Sequence, residues 1–279
     1  MSLNNDGRGK RLGSLAALVL GACALTACSG NNAPAATADT NTTAPKDGGN
    51  AYELVMQQRT DPVHGERVAM RIAYDICVEG AKALNQPAKP FPADPADPAV
   101  ERNTVITDGR SYVRKTEQLS DANTEKMQPD QGCEFSIWPV TTETLITHQG
   151  KATRVKRDYD GKITTETDDD VLSQVAKSPQ DNSHFSERRT VNGVNLRCMP
   201  KDDPTLAALL KATGTQDLCI YEKDGQLLNA DGTDMVLYSR VTQPVQIGGT
   251  SHDTIVEPVS LKRLDHVDPA TFDPATYSR

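Results

Sequence analysis

Tight-turn dipeptides recur along this chain and limit what it can fold into. Five of them place Asp or Asn before Gly: Asp108-Gly109, Asp160-Gly161, Asn192-Gly193, Asp224-Gly225 and Asp231-Gly232. Such pairs accept the positive φ angles of two-residue hairpin turns. The segments beside them have strand length and many β-branched residues, so the pattern predicts antiparallel β-structure.

The predicted strands flank the first three turns and fill the last third of the chain. They comprise residues 103–107, 111–115, 151–159, 162–167, 187–191, 194–199, 218–223, 235–241 and 254–264, with a further turn at Gly248-Gly249. We expect an α+β fold that is mostly antiparallel β: a curved meander sheet or half-barrel with two or three short covering helices.

Residues 66–79 require a choice between helix and strand. Every second position is a large apolar residue: Val68, Met70, Ile72, Tyr74, Ile76 and Val78. On a helix these side chains would fall on two separate faces, whereas on a strand they share one face. We therefore predict a long strand here, followed by a stiff extended loop over residues 87–98, which contain five prolines.

Two short helices are predicted in the second half. The acidic triplet at 168–170 precedes residues 171–177, with Lys177 near the end and Pro179 beyond it, which is typical of a helix start rather than of a cation site. In the second helix Asp203 is the expected N-cap, Pro204 lies in the first turn and Gly214 ends the helix.

The N-terminus has the composition of an export signal. Arg8, Lys10 and Arg11 precede an uncharged run over residues 12–27 that is rich in Leu and Ala. At 16 residues the run is short for a membrane-spanning helix, which needs about 20. We therefore expect cleavage of residues 1–27.

The run ends in Leu25-Thr26-Ala27-Cys28-Ser29, which resembles the lipobox of bacterial lipoproteins. The resemblance implies that Cys28 receives a diacylglycerol and becomes the acylated N-terminus after cleavage. Two or three acyl chains would anchor the chain to a membrane, and Ser29 resembles the pattern of proteins sent to the outer membrane. The alternatives are a plain secretory signal and a poorer box at residues 20–23, which would truncate the apolar run.

Residues 28–50 contain no large apolar side chain and are expected to form a flexible tether. The folded domain would span residues 51–279. The whole chain carries a net charge of −8, and removal of the signal, which contains Asp6 and three basic residues, leaves −10. An acidic domain is poorly suited to phosphate backbones, so nucleic acid is not an expected partner.

Four cysteines remain for the domain: Cys77, Cys133, Cys198 and Cys219. An even number in an exported domain indicates disulfides. Three connectivities are allowed, and the sequential pairing is favoured because Cys198 and Cys219 flank a compact, helix-containing segment. No pair has the spacing of zinc ligands, so no metal site is predicted. Phe135 and Trp138 are expected to pack near Cys133.

Strands covered by helices, and a tail that runs Asp268-Pro269-Ala270-Thr271-Phe272-Asp273-Pro274, resemble periplasmic lipoprotein carriers of the LolA and LppX type. That resemblance implies a half-barrel whose concave face holds acyl chains. Those carriers are soluble, whereas Cys28 would anchor this chain, and no binding residue of that family maps onto a position here.

No catalytic or cofactor motif is present in the sequence. Ser251-His252-Asp253 contains the residue types of a catalytic triad, but neighbouring side chains point in different directions, so a turn is predicted. His64, in His64-Gly65-Glu66, and His184 are expected to be solvated surface residues.

The leading hypothesis is a noncatalytic, membrane-anchored envelope lipoprotein whose β-rich domain binds a ligand, such as a lipid, or an envelope protein. The alternatives are an exported hydrolase whose site is assembled from distant residues, and a scaffold in an envelope complex.

Overall fold

The computed structural model describes residues 51–120, 122–169, 182–222, 227, 235–243 and 251–279, all of which belong to one compact unit, residues 45–279. The predicted signal peptide, lipobox and tether, the turns at 224–225, 231–232 and 248–249, and the helix at 171–177 lie outside these residues. None of the described helices is long and apolar enough to cross a membrane.

Within the described ranges the fold is mostly antiparallel β, as predicted, and contains two α-helices. The strands are β1 Tyr52–Asp61, β2 Ala99–Thr107, β3 Tyr112–Gln118, β4 Ala122–Asn123, β5 Ser136–Ile137, β6 Thr141–His148, β7 Lys151–Arg157, β8 Ile163–Asp169, β9 Glu187–Val191, β10 Val194–Cys198, β11 Thr215–Tyr221, β12 Val236–Thr242 and β13 Asp253–Arg263. The helices are α1 Glu66–Ala83 and α2 Pro204–Thr213, and three short 3-10 helices span Pro129–Gln131, Pro269–Phe272 and Pro274–Tyr277.

Eleven strands form one sheet in the order β8-β7-β6-β3-β2-β1-β13-β12-β11-β10-β9, while β4 and β5 pair separately. The large sheet is open, with β8 and β9 at its edges. A hydrogen bond shows that the sheet is also curved. The side chain of Asn192, in the turn between β9 and β10, donates to the Pro258 carbonyl of β13 at 2.9 Å, although two strands lie between β10 and β13 in the sheet order.

The turn between β9 and β10 has the two-residue backbone expected from its sequence, whereas Asp108-Gly109 and Asp160-Gly161 lie in longer connections in which only the glycine has positive φ. Asn192 and Gly193 both have positive φ, at 48° and 80°, and connect β9 to β10. One hairpin was not predicted: Gln149 and Gly150, at 51° and 73°, turn β6 into β7. Because Gln is not among the residues that favour such turns, this connection and β6 itself were missed.

The predicted strand at residues 66–79 is wrong, because this segment forms α1. Ala, Glu, Arg and Met, which favour helices, fill much of it. The alternating apolar residues are divided around the helix: Tyr74 and Val78 pack on a small core, while Val68 and Ile76 are 38% and 67% exposed. The buried stripe is completed by Cys77 and Ala81, which the alternation did not include.

Helix α1 packs on its own layer rather than on the large sheet. Cys77 of α1 is bonded to Cys133, and both belong to a small core that also includes Ala81. The Pro-rich loop covers the same layer: Arg67 of α1 is buried and donates to the Ala93 and Pro92 carbonyls and to the Asp94 carboxylate. The loop has no regular secondary structure, as predicted.

Helix α2 confirms the second helix prediction. Asp203 accepts hydrogen bonds from Thr205 N and Leu206 N at 2.7 and 3.4 Å, which caps the first turn. Gly214 ends the helix at φ 76°. The second disulfide joins Cys198 of β10 to Cys219 of β11, so the two bridges are those of the sequential pairing.

Asp168 and Asp169, the first two acids of the triplet, are the last residues of strand β8, while Asp170 and residues 171–177 lie outside the described residues. Lys151 on the neighbouring strand donates to Asp169. Both acids lie in the exposed edge strand, where charged side chains remain in solvent and discourage pairing with other chains. The helix at 171–177 stays a prediction.

The C-terminal tail covers one face of the sheet. Phe272 lies in a buried cluster with Val113 of β3 and Ile146 of β6, and its ring stacks on His148 with centroids 5.5 Å apart. The tail therefore covers the face of β3 that carries Val113, opposite to the face that carries Tyr112 and Arg114.

Candidate functional site

The register of the central strands places a row of alternating side chains on one face of the sheet. Met56 of β1 lies opposite Asn103 of β2, which lies opposite Thr116 of β3. One step along, Val105 of β2 lies opposite Arg114 of β3. Because side chains alternate along a strand, all of these residues share one face.

These residues line a pocket of about 310 Å³, together with Glu101, Tyr112, Met235 and Val236. Met235 and Val236 lie at the start of β12, which is four positions from β3 in the sheet order. In a flat sheet this separation would be about 19 Å. Since these residues border the same pocket, the sheet curves towards this face, and the pocket lies on its concave side.

The floor of the pocket is apolar. Met56, Val105, Tyr112 and Met235 are between 2% and 7% exposed and belong to the main core cluster. That core also contains the second disulfide. A molecule bound in the pocket would therefore lie against side chains that are packed in the main core cluster.

Three polar residues of the rim satisfy one another. Thr116 Oγ1 donates to Asn103 Oδ1 at 2.6 Å, and Asn103 Nδ2 donates to Glu101 Oε1 at 2.6 Å. This chain fixes the orientation of the Asn103 amide and uses both ends of its hydrogen-bonding capacity. These residues form an ordered polar wall.

Arg114 is different, because its guanidinium takes no part in this chain. Within the part of the chain that the structure describes, Arg114 forms neither an ion pair nor a side-chain hydrogen bond. Its side chain is exposed at the mouth of the pocket. On the same face, by contrast, Arg154 and Lys156 of β7 are paired with Glu143 of β6 at 2.9 and 3.1 Å.

A second polar network lies on the neighbouring strands. Glu257 of β13 accepts from Gln57 Nε2 at 2.8 Å and from Arg59 Nε at 2.9 Å. Burial by itself would raise the pKa of the Glu257 carboxyl, but the hydrogen bonds from Arg59 and Gln57 outweigh it and hold the pKa below its ordinary value. These residues bind one another and cross-link β1 to β13.

Gly65, which follows His64, lies against His252, so two motifs noted in the sequence meet here. A Cβ added to Gly65 would lie 2.7 Å from the Cβ of His252. The prediction that His64 is a solvated surface residue is wrong, because its side chain is 13% exposed and its Nε2 lies 3.0 Å from the Pro95 carbonyl. The positive φ of His64, 59°, directs the chain into α1 and folds the ring under the Pro-rich loop.

The contacts of Glu66 are those of a structural anchor. Thr60 Oγ1 donates to Glu66 Oε2 at 2.6 Å and accepts from Gly65 N at 2.9 Å, which joins the end of β1 to the first turn of α1. Nearby, Asp253 accepts from Arg240 and Thr242, and Ser251 precedes β13. The Ser251-His252-Asp253 segment thus leads into a strand and does not form a catalytic relay.

The remaining predicted residues are dispersed. His184 contacts the Asp203 carboxylate at 2.9 Å and is 38% exposed. Phe135 is buried, whereas the Trp138 ring lies against Tyr159 with centroids 4.3 Å apart. No three His, Cys, Asp or Glu residues within the described ranges are placed to hold a metal ion.

The pocket residues were not identified from the sequence. Asn103, Val105, Tyr112 and Arg114 lie in predicted strands, and the turn at Asp108-Gly109 already pairs them across the hairpin. Their pairing could have suggested a mixed polar and apolar face. The contribution of Met56 and Met235 depends on the order and curvature of the sheet, which the sequence pattern did not provide.

Comparisons with known proteins leave the family of this chain open. No protein-family model matches it, and no curated protein matches it. Among solved structures, it aligns with a chain described as "Structure of PNGF-II in P21 space group", with 12% sequence identity and a TM-score of 0.32. The alignment covers 80% of this chain and 30% of that chain.

Proposed function

We propose that this protein is an acylated bacterial envelope lipoprotein whose β-rich domain binds a small ligand, without catalysis, in the concave pocket between β1, β2, β3 and the start of β12. The observation that carries the ligand-binding part is the pocket itself. Its volume of about 310 Å³ lies at the lower end of the range for small-molecule sites, and it combines an apolar floor with a few fixed polar groups.

The anchor is a separate part of the proposal and rests on the lipobox. Cys28 would carry the acyl chains, and the domain would work outside the cytosol, where the two disulfides can form. The outer membrane is the expected location, because Ser29 follows Cys28 as in lipoproteins that are sent there. A lipid or an envelope protein is the expected partner class.

Native mass spectrometry tests the ligand-binding part. The full-length protein is extracted from its own cells and measured beside Thr116→Trp, which places a large ring in the pocket, and Glu117→Trp, which places the same ring one residue along on the other face. A mass adduct on the wild type and on Glu117→Trp, but not on Thr116→Trp, is expected. An adduct on neither the wild type nor Glu117→Trp would count against a ligand site.

Metabolic labelling with palmitate tests the anchor. The wild type is expected to incorporate label and to remain with the membrane fraction, and Cys28→Ala is expected to lose the label. Unchanged labelling of Cys28→Ala would show that this cysteine is not the acylation site. Because the pocket contains no residue of the lipobox, the two parts can fail independently.

A further inference from the structure

We infer that the ligand of the concave pocket is an anionic amphiphile of about ten non-hydrogen atoms, whose carboxylate or phosphate oxygens bind the Arg114 guanidinium while its apolar body lies on the methionine floor. The inference rests on the proposed ligand-binding function and adds the chemical class of the ligand. It comes from the contrast between Arg114 and the hydrogen-bonded chain of Glu101, Asn103 and Thr116.

The charge of the ligand follows from hydrogen-bonding capacity. A guanidinium presents five N–H donors in a fork that matches carboxylate and phosphate oxygens. Within the described ranges none of those donors is used by another side chain of the protein, whereas Glu101, Asn103 and Thr116 bind one another. Arg114 is therefore a cation with unused donors at the exposed mouth of the pocket, and its complement is an anion.

The position of Glu101 does not oppose an anion at Arg114. Arg114 lies opposite Val105, and Glu101 is four residues before Val105 on the same strand. At about 3.3 Å per residue this places Glu101 about 13 Å away along β2. Its carboxylate also accepts from the Asn103 amide, so it bounds the far end of the pocket.

The size of the ligand follows from the volume. Water-sized groups occupy about 30 Å³ each, so a pocket of about 310 Å³ holds about ten of them. A single alkyl chain of about eight carbons with its head group meets this limit. A diacyl lipid exceeds it.

The apolar body of the ligand has an adaptable floor. Met56 and Met235 face the pocket from β1 and from the start of β12. Methionine side chains are unbranched and polarisable, and they adjust to apolar groups of different shape. We therefore expect the head group to be recognised more strictly than the tail.

A competition assay tests the inference. The full-length protein is purified in digitonin, which has no alkyl chain to compete, and tritiated octanoate is bound to it on scintillation beads. Unlabelled octanoate, octyl phosphate, octanol and octylammonium then compete. Octanoate or octyl phosphate is expected to displace the label at concentrations at least about tenfold lower than octanol or octylammonium, and the stronger of the two anions identifies the head group.

Variants assign the effect to one side chain. Hydrogen bonds to charged groups give an expected loss of about 10- to 100-fold in octanoate affinity for Arg114→Leu. Arg114→Lys, which keeps the charge but not the fork, is expected to lose less. Arg154→Leu removes a cation from the same face outside the pocket and is expected to stay within about twofold of the wild type. Arg114 is exposed, so these substitutions are compatible with folding.

Two results would overturn the inference, and they differ in what else they affect. Saturable binding in which octanol equals octanoate, or in which Arg114→Leu equals the wild type, refutes the anionic head group but leaves a ligand site. No saturable binding of any probe, together with no native mass adduct on the wild type, refutes the ligand class and the proposed function together.

Discussion

Removing the Cys77–Cys133 bridge should separate the α1 layer from the rest of the protein. The double variant Cys77→Ser with Cys133→Ser deletes the covalent link between α1 and the segment after the 3-10 helix Pro129–Gln131. Apart from that bridge, α1 is held by a small core separate from the main one, by the contacts of Arg67 with the Pro-rich loop, and at its first turn by the hydrogen bond from Thr60 to Glu66. We expect local opening rather than collapse of the sheet.

The magnitude follows from the length of the loop that the bridge closes. Its sequence separation of 56 residues corresponds, in the chain-entropy treatment, to about 4 kcal/mol at 25 °C. A domain of this kind has about 5–15 kcal/mol of total stability. The loss is therefore large compared with what a small, partly exposed layer can retain without the bridge.

Hydrogen exchange of the full-length protein, read by segment, measures the effect. About 4 kcal/mol corresponds to nearly a thousandfold faster exchange. We expect acceleration of that order at the amides of α1 and no change at the amides of β1 and β2, which pair with one another in the main sheet.

The second bridge provides the control. Cys198→Ser with Cys219→Ser opens a loop with a separation of 21 residues, worth about 3 kcal/mol. Both of these sulfurs lie in the main core, so this variant should accelerate exchange across the sheet. Equal acceleration in α1 and in β1 for the first variant would refute the idea that α1 forms a separately held layer.

Three further outcomes are expected. Because the pKa of Glu257 is depressed in the folded protein, its ion pair stabilises the fold above the ordinary glutamate pKa, and this stabilisation is lost as the pH falls through the lower native pKa. Glu257→Gln should therefore lower the free energy of unfolding by about 1.5–3 kcal/mol at pH 7 and by progressively less below about pH 4, as measured by urea titration at each pH. By the same measurement, Gly214→Ala should cost more than about 1 kcal/mol, because Gly214 has φ 76° and the new Cβ would lie 2.5 Å from the Thr242 carbonyl oxygen. Gly161 has the same φ but lies in open space, so Gly161→Ala measures the backbone strain without the steric clash. Leu54→Ala, at a fully buried position, should cost about 2–5 kcal/mol, and a loss below 1 kcal/mol would contradict the packing described for the main core.

Turn chemistry carried most of the correct predictions about the fold. The Asp-Gly and Asn-Gly pairs located three hairpins, because each turn needs positive φ at its glycine, which few other residues accept. Asp203 and Gly214 located α2 for the same local reason. These signals depend on the chain within a few residues and do not need tertiary contacts.

The errors arose where tertiary contacts decide. Alternation in residues 66–79 predicted a strand, but the segment is a helix whose buried face is set by Cys77, bonded to Cys133, and by Arg67, buried among the carbonyls of the Pro-rich loop. The pocket depends on Met235 meeting β2 and β3, which only the curvature of the whole sheet produces.

The central position of β1 has a mechanical consequence if the chain is anchored through Cys28, as proposed. A force from the anchor would enter the sheet at Tyr52, the first residue of a strand that is hydrogen-bonded along its length to β2 on one side and to β13 on the other. That force would act along the strand and load both ladders in parallel, because their bonds run across the pulling direction. Strand β1 would have to slide past two neighbours at once instead of separating one bond at a time, so the first strand after the anchor would also be a point of high resistance to force.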